Sequence, residues 1–314
     1  MKDLRIVFMG TPDFAVAMLD ALIEANHNIV GVITAPDKPA GRGRKINQSA
    51  VKQYAVKKGL TILQPTNLKD PDFILQLKNL QANLQVVVAF RMLPKQVWSL
   101  PELGTFNLHA SLLPDYRGAA PINWSIINGD IKTGVTTFFI NEDIDTGAII
   151  KQESVSIEAD MNAGVLHDKL MVLGSKVVLD TVRMIQKGNA CPADQKDGTY
   201  RPAPKLNKLN CRIPWNLSKQ EVYNHIRGLN PFPGAWTLLE NGDHKIELKI
   251  YDSLMIDEPH TLKTGTLVVS KKNLRVAVAD GFIEIKDLKM AGKRKMDAIS
   301  LLNGYEFKSG CKFI

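Results

Sequence analysis

Apolar and polar positions follow two rhythms along the first half of the chain. Short, nearly continuous apolar runs read as strands: "LRIVFMG" (4–10), "NIVGVITAP" (28–36), "LTIL" (60–63), "LQVVVAF" (84–90), "GTFNLHA" (104–110) and "TGVTTFFI" (133–140). Between them lie segments whose apolar residues recur every three or four positions, at 11–26, 49–59, 71–81, 94–100 and 120–130. That period puts the apolar side chains on one face of a helix. Thr11 and Pro12 suit a helix start and Gly59 a helix stop. A longer helix is expected over roughly 161–188. Strands and helices in alternation predict the α/β class: a doubly wound, mostly parallel sheet covered on both faces.

The rhythm changes near residue 189. "NACPADQKDGTYRPAPKLNK" (189–208) is rich in Pro, Gly and Asp, lacks apolar period and reads as a linker. A helix is expected at 218–229, stopped by "NPFPG". Beyond it the chain breaks into short β-like runs separated by "NGD" and "ADG", the turn signals of a small, OB-like barrel. The expected organisation is a catalytic domain at 1–188, a linker at 189–208 and a β-barrel domain at 209–314.

Composition adds bounds. With 314 residues and 45% hydrophobic, the chain can bury two cores. No apolar run approaches the ~20 residues of a membrane-spanning helix, so no membrane partner is expected. The opening run reads as a first strand and not as a signal peptide. Three widely spaced cysteines, Cys191, Cys211 and Cys311, fit neither a zinc site nor a disulfide framework and point to a reducing cytoplasm. The net charge is +8, and it is unevenly placed: residues 205–314 hold 18 Lys+Arg against 12 Asp+Glu. A basic second domain beside a near-neutral first one suggests an anionic partner such as nucleic acid. No exposed apolar seam is evident, so a monomer is expected.

The candidate chemistry sits in "FNLHASLLPDYRG", Phe106 to Gly118. Side chains two apart on a strand share a face, so Asn107 and His109 point one way and Phe106 and Leu108 the other. A doubly wound sheet binds ligands beyond the carboxyl ends of its strands, where this segment lies. "GTPDF" after the first strand lacks GxGxxG, which argues against a dinucleotide site. Asp145, in the turn "DIDTGAII", is a third polar candidate. Spacing alone favours an Asp that caps a turn over a partner for His109, and a lone histidine here reads first as a core residue bonded to a backbone carbonyl. An Asn–His–Asp set has a specific logic. Amide and imidazole donate to a developing oxyanion, while the carboxylate orients the imidazole. It is a poor metal-ligand set, and no metal is expected.

The stretch "FNLHASLLPDYRGAAPINWSIINGD", followed by "TGVT" and "DIDTGAII", resembles the folate-dependent formyltransferases. "IVFMGTPDFA", "PDKPAGRGRK" (36–45), "RIPWNLSKQEVYNHIRGLNPFPGAW" (212–236) and the overall length are similar to those members that formylate methionine carried by initiator tRNA. A departure is "AFRMLP" (89–94), where the family pattern is an aromatic and then glycine and this chain has Arg91. The resemblance implies a Rossmann-like formyltransferase fold with a C-terminal barrel. It implies 10-formyltetrahydrofolate as formyl donor and the amino group of initiator methionyl-tRNA as acceptor. It implies Asn107, His109 and Asp145 as the catalytic set, and Ser111, Leu112, Leu113 and Pro114 as the folate wall. It implies Lys38, Arg42, Arg44 and Lys45 as a basic loop that meets the tRNA acceptor end, with barrel residues 270–275 and 291–295 on phosphates. The alternative acceptor is a small amine, of the glycinamide ribonucleotide or amino-sugar nucleotide type. The basic second domain and the "AGRGRK" loop favour tRNA.

Overall fold

The computed structural model describes residues 3–40, 45–196 and 198–314. Two compact units emerge: residues 1–118, 133–155 and 167–202 in the first, and 119–132, 156–166 and 203–314 in the second.

The chain of the first half runs β1 (Arg5–Gly10), α1 (Asp13–Glu24), β2 (Asn28–Ile33), β3 (Lys38–Ala40), β4 (Lys45–Asn47), α2 (Ala50–Lys57) and β5 (Ile62–Leu63). It continues through α3 (Pro71–Asn79), β6 (Leu84–Val88), α4 (Lys95–Trp98), β7 (Thr105–His109), α5 (Pro121–Ile127), β8 (Lys132–Phe139), β9 (Ile149–Ser156) and α6 (Ala163–Lys187). The main sheet has the order β5-β2-β1-β6-β7-β8-β9. Its five strands from β5 to β7 are parallel, and β8 pairs antiparallel to β7. The expected doubly wound, mostly parallel sheet is therefore present. The central strands are buried on both faces, with Phe8 and Phe106 fully enclosed. Each such side chain contributes ~1.5–3 kcal/mol of burial. Strand order reverses between β1 and β6, which opens a crevice at the carboxyl ends of the parallel strands.

Two elements had no counterpart in the apolar pattern. The β3–β4 ribbon interrupts the segment read as a basic loop. The edge strand β9 alternates poorly, because much of it faces solvent (burial pattern iBieeeie). An edge strand is held by backbone bonds on one side only, so its side chains need not be apolar.

In the second unit, α7 (Lys219–Gly228) begins with a capping box between Ser218 and Glu221. The strands β10 (Ala235–Asn241), β11 (His244–Ile256), β12 (Leu267–Val269), β13 (Leu274–Val278) and β14 (Gly281–Met290) come next. Then come β15 (Met296–Asp297), α8 (Ala298–Gly304) and β16 (Lys312–Phe313). The sheet order is β12-β13-β14-β11-β10-β16. A bridge between Thr266 and Lys312 joins its two ends, so the sheet nearly closes into the expected barrel. Trp215 and Phe313 stack in its core with ring centroids 5.4 Å apart, and the Trp215 indole N–H donates to Thr237 Oγ1 at 2.9 Å. Cys191, Cys211 and Cys311 are free. Among the described residues, no helix is long and apolar enough to cross a membrane.

Candidate active site

Strand β7 brings the first two candidate residues to one face. Asn107 lies in register with Val87 of β6 and Phe138 of β8, and His109 with Thr136 of β8. His109 is 6% exposed, at the carboxyl end of the strand. Its Nε2 lies 2.7 Å from the Tyr116 carbonyl oxygen. A carbonyl only accepts, so Nε2 carries the hydrogen and Nδ1 is the ring nitrogen left for chemistry. The half-buried Asn107 amide has no hydrogen-bond partner among the described residues.

Asp145 does meet His109. Its Oδ2 lies 3.7 Å from His109 Nδ1 and accepts the Gly118 amide N–H at 2.9 Å. The gap to Nδ1 exceeds a hydrogen bond, as is common at catalytic pairs before substrate draws them in. The two residues that hold the imidazole, Tyr116 and Asp145, both adopt left-handed backbone, with φ of 62° and 54°. L-residues avoid that region, and such strain gathers at functional sites. The turn after Asp145 is forced close to β8. A Cβ on Gly147 would stand 1.7 Å from the Phe139 carbonyl oxygen, so only glycine fits there.

The segment from Ser111 to Pro114 forms the wall beside this pair. Ser111 is fully buried, and its hydroxyl donates to the Asp115 carbonyl at 2.7 Å. Thr136 Oγ1 donates to the Ser111 carbonyl at 2.7 Å and accepts the Leu113 amide at 3.1 Å. Gln152 Nε2, from β9, donates to the Leu113 carbonyl at 2.8 Å. Both backbone groups of Leu113 thus engage the protein, and its side chain is 3% exposed. Leu112 and Pro114 are partly exposed and present the accessible surface of the wall.

A cleft of about 660 Å³ opens beyond β5 and β6, lined by Thr66, Leu68, Arg91, Met92, Leu93 and Lys95, among others. Arg91 ties its two walls together: Nη1 donates to the Thr66 carbonyl at 3.1 Å and Nη2 to the Pro65 carbonyl at 2.7 Å. Its Nε is buried without a partner, and burial pulls the guanidinium below its ordinary pKa. Lys95 pairs with Glu142 at 2.5 Å and holds that carboxyl below its usual range.

Of the basic loop, Lys38 is exposed on β3 and Lys45 belongs to β4. Arg42 and Arg44 lie outside the described residues. Sequence reasoning missed Gln195, which sits in the stretch read as linker. Its side chain bonds the carbonyls of Asp145 and Gly147 at 2.8 and 3.0 Å. No residue pattern marks it, since only the folded chain brings it to the Asp145 turn. Among the described residues there is no cluster of three or more His, Cys, Asp or Glu that could hold a metal ion.

Residues 4–182 match the family model described as formyl transferase, and residues 205–306 the model described as formyl transferase, C-terminal domain. The chain is 55% identical over 313 residues to a protein of Flavobacterium johnsoniae named methionyl-tRNA formyltransferase, covering 99% of each. It is 53% identical over 317 residues to a protein of the same name from Bacteroides thetaiotaomicron, covering 99% of this chain and 98% of the relative. Among solved structures it resembles WlaRD, a sugar 3N-formyl transferase, with a TM-score of 0.66 at 20% identity, over 94% of this chain and 100% of that one. It also resembles HypX from Aquifex aeolicus, solved in complex with tetrahydrofolic acid, with a TM-score of 0.64 at 17% identity, over 96% and 47% of the two chains. At those identities the structural likeness concerns the fold alone.

Proposed function

This chain belongs to the formyl transferase family, and on that premise we propose that it formylates the free amino group of methionyl initiator tRNA, with 10-formyltetrahydrofolate as the donor. The reading is supported most directly by the 55% identity to a methionyl-tRNA formyltransferase along 99% of the chain. Both halves take part in that match, the barrel included.

The site geometry suits direct transfer. The acceptor amine attacks the formyl carbon and a tetrahedral oxyanion forms. The Asn107 amide and a proton on His109 Nδ1 donate to that oxygen, each such donor being worth ~3–4 kcal/mol. Nε2–H stays on the Tyr116 carbonyl, which fixes the ring so that Nδ1 faces both Asp145 and the reacting centre. Asp145 orients the imidazole and helps pass the proton of the attacking amine to the folate nitrogen that leaves, a positioned transfer worth ~10²–10⁴ in rate. A free α-amino group titrates at about 7.7–8.0 and an esterified one lower, so much of the acceptor is already nucleophilic at neutral pH. No enzyme nucleophile is needed.

The folate lies along Leu112 and Pro114 and extends toward the cleft at Arg91. At about 660 Å³ the cleft falls within the ~300–1,000 Å³ typical of small-molecule sites. Lys38, Arg42, Arg44 and Lys45 meet the unpaired acceptor end of the tRNA, and the basic barrel holds its phosphates. The protein works as a monomer in the cytoplasm.

The test supplies 10-formyltetrahydrofolate with charged initiator tRNA, charged elongator tRNA, glycinamide ribonucleotide or an amino-sugar nucleotide. Formyl transfer to initiator tRNA is expected, and Asp145→Asn is expected to lower kcat by at least ~10². Transfer to a small amine and to neither tRNA overturns the reading.

A further inference from the structure

Ala193, Gln195 and Arg201 lie against the two turns that hold the His109–Asp145 pair. At one end Ala193 and Ile149 exchange backbone hydrogen bonds of 2.7 and 2.9 Å. At the other, the Tyr116 N–H donates to the Arg201 carbonyl at 2.6 Å, and the Arg201 N–H donates to Asp115 Oδ1 at 3.0 Å. The Arg201 guanidinium also lies over the Tyr116 ring, 4.7 Å from its centroid.

Gln195 reaches both turns at once. Its Nε2 donates to the carbonyls of Asp145, at 2.8 Å, and Gly147, at 3.0 Å. Its Oε1 accepts from Arg117 Nε at 3.1 Å and from Nη2 at 2.6 Å. An amide has two N–H donors and two acceptor lone pairs, and all four are used. The orientation is unambiguous, because carbonyls only accept and a guanidinium only donates.

We infer that Gln195 is a positioning residue for formyl transfer: it seats the Asp145 turn by its carbonyls and, through Arg117, fixes the neighbouring turn whose Tyr116 carbonyl orients His109. The inference rests on the catalytic reading of His109 and Asp145 given above. The need for such a brace comes from backbone conformation. Asp145 and Tyr116 are both left-handed, a region that a residue with a Cβ leaves unless its surroundings over-determine it. Released, the Asp145 turn relaxes and its carboxylate leaves its place beside Nδ1. The hydrogen bonds of Gln195 go to Arg117 and to backbone carbonyls, not to the two side chains it serves.

The test uses the full chain with Gln195→Glu and Gln195→Ala. Glutamate keeps the volume and oxygens for Arg117, but it has no N–H for the Asp145 and Gly147 carbonyls. Both variants are expected to lower kcat about 10- to 100-fold, the cost of a misplacement near 1 Å, while KM for both substrates stays within about twofold. A second readout does not depend on activity. The Gly118 N–H donates to Asp145 Oδ2, so its hydrogen exchange reports whether the carboxylate is seated. Exchange at Gly118 is expected to speed at least about tenfold in both variants, with β1 and β6 amides unchanged. Wild-type kcat in Gln195→Glu overturns the inference, whether or not exchange changes. If the wild-type protein transfers formyl to no amine, that failure belongs to the catalytic reading, and Gly118 exchange still decides whether Gln195 seats Asp145.

Discussion

Gly147→Ala offers a test of the site that can be worked from distances. A Cβ at this position would stand 1.7 Å from the Phe139 carbonyl oxygen and 2.9 Å from its carbon, whereas real Cβ atoms essentially never come within 3.0 Å. The opposing atoms belong to the backbone at the end of β8 and cannot swing away as a side chain could. Raising 1.7 Å to 3.0 Å requires a movement of about 1.3 Å, and with Phe139 held in β8 the Asp145 turn has to make it, against its bonds to Gln195. Carried to the carboxylate, that shift takes the His109–Asp145 separation from 3.7 Å toward about 5 Å. With an effective dielectric near 20, the pair then loses on the order of 1 kcal/mol of attraction, close to tenfold in rate. Misorientation of the imidazole adds to this, because ~1 Å errors at a reacting centre cost up to ~10²-fold. The bonds from Phe139 N–H to the Ala148 carbonyl and from Gln195 to the Gly147 carbonyl are strained as well. Each is worth about 1 kcal/mol of stability. Single-turnover formylation should therefore slow about 10- to 100-fold, with a Tm lowered by a few degrees and an unchanged far-ultraviolet circular dichroism spectrum. A variant with wild-type rate and wild-type Tm would refute the idea that this close approach holds the aspartate.

Asn107→Ala should lower kcat by about 10²–10³ with little change in folate affinity, as for loss of one oxyanion donor; steady-state kinetics with equilibrium folate binding check this, and a loss confined to binding would contradict it. Arg42→Ala should raise KM for charged tRNA far more than it weakens folate binding, since arginine pairs with phosphates and stacks on bases; equal losses would assign the loop another role. His225, on α7, is 7% exposed with Nε2 unpartnered, and burial pushes its pKa from 6.5 down to about 4. Between those values the unfolded chain binds a proton that the folded chain refuses. Stability is therefore full above pH ~6.5 and falls as pH drops toward ~4, by on the order of 3 kcal/mol. Urea unfolding of wild type and His225→Leu across that window should show a steeper loss of stability with falling pH in wild type; parallel slopes would rule out His225 as a source.

The sequence by itself determined the fold class and placed two residues of the candidate site on one strand face. Parallel strands buried on both faces are mostly apolar, so β1, β2 and β6 read as nearly continuous apolar runs. The period of two places Asn107 and His109 on one face of β7. The shared motif marked Asp145, although spacing alone left it as a turn cap. Local pattern gave no sign of β9, because an edge strand in contact with solvent has no apolar requirement. Tertiary structure alone decided the rest. It brought Asp145 to within 3.7 Å of His109 Nδ1, and it committed Nε2 to the Tyr116 carbonyl so that Nδ1 faces Asp145. It also turned a stretch with linker composition into the brace that carries Gln195. The reason is physical. Strand and helix patterns arise from burial repeated at short period along the chain. A hydrogen bond between distant segments depends on one donor meeting one acceptor, and that meeting exists only after the chain has folded.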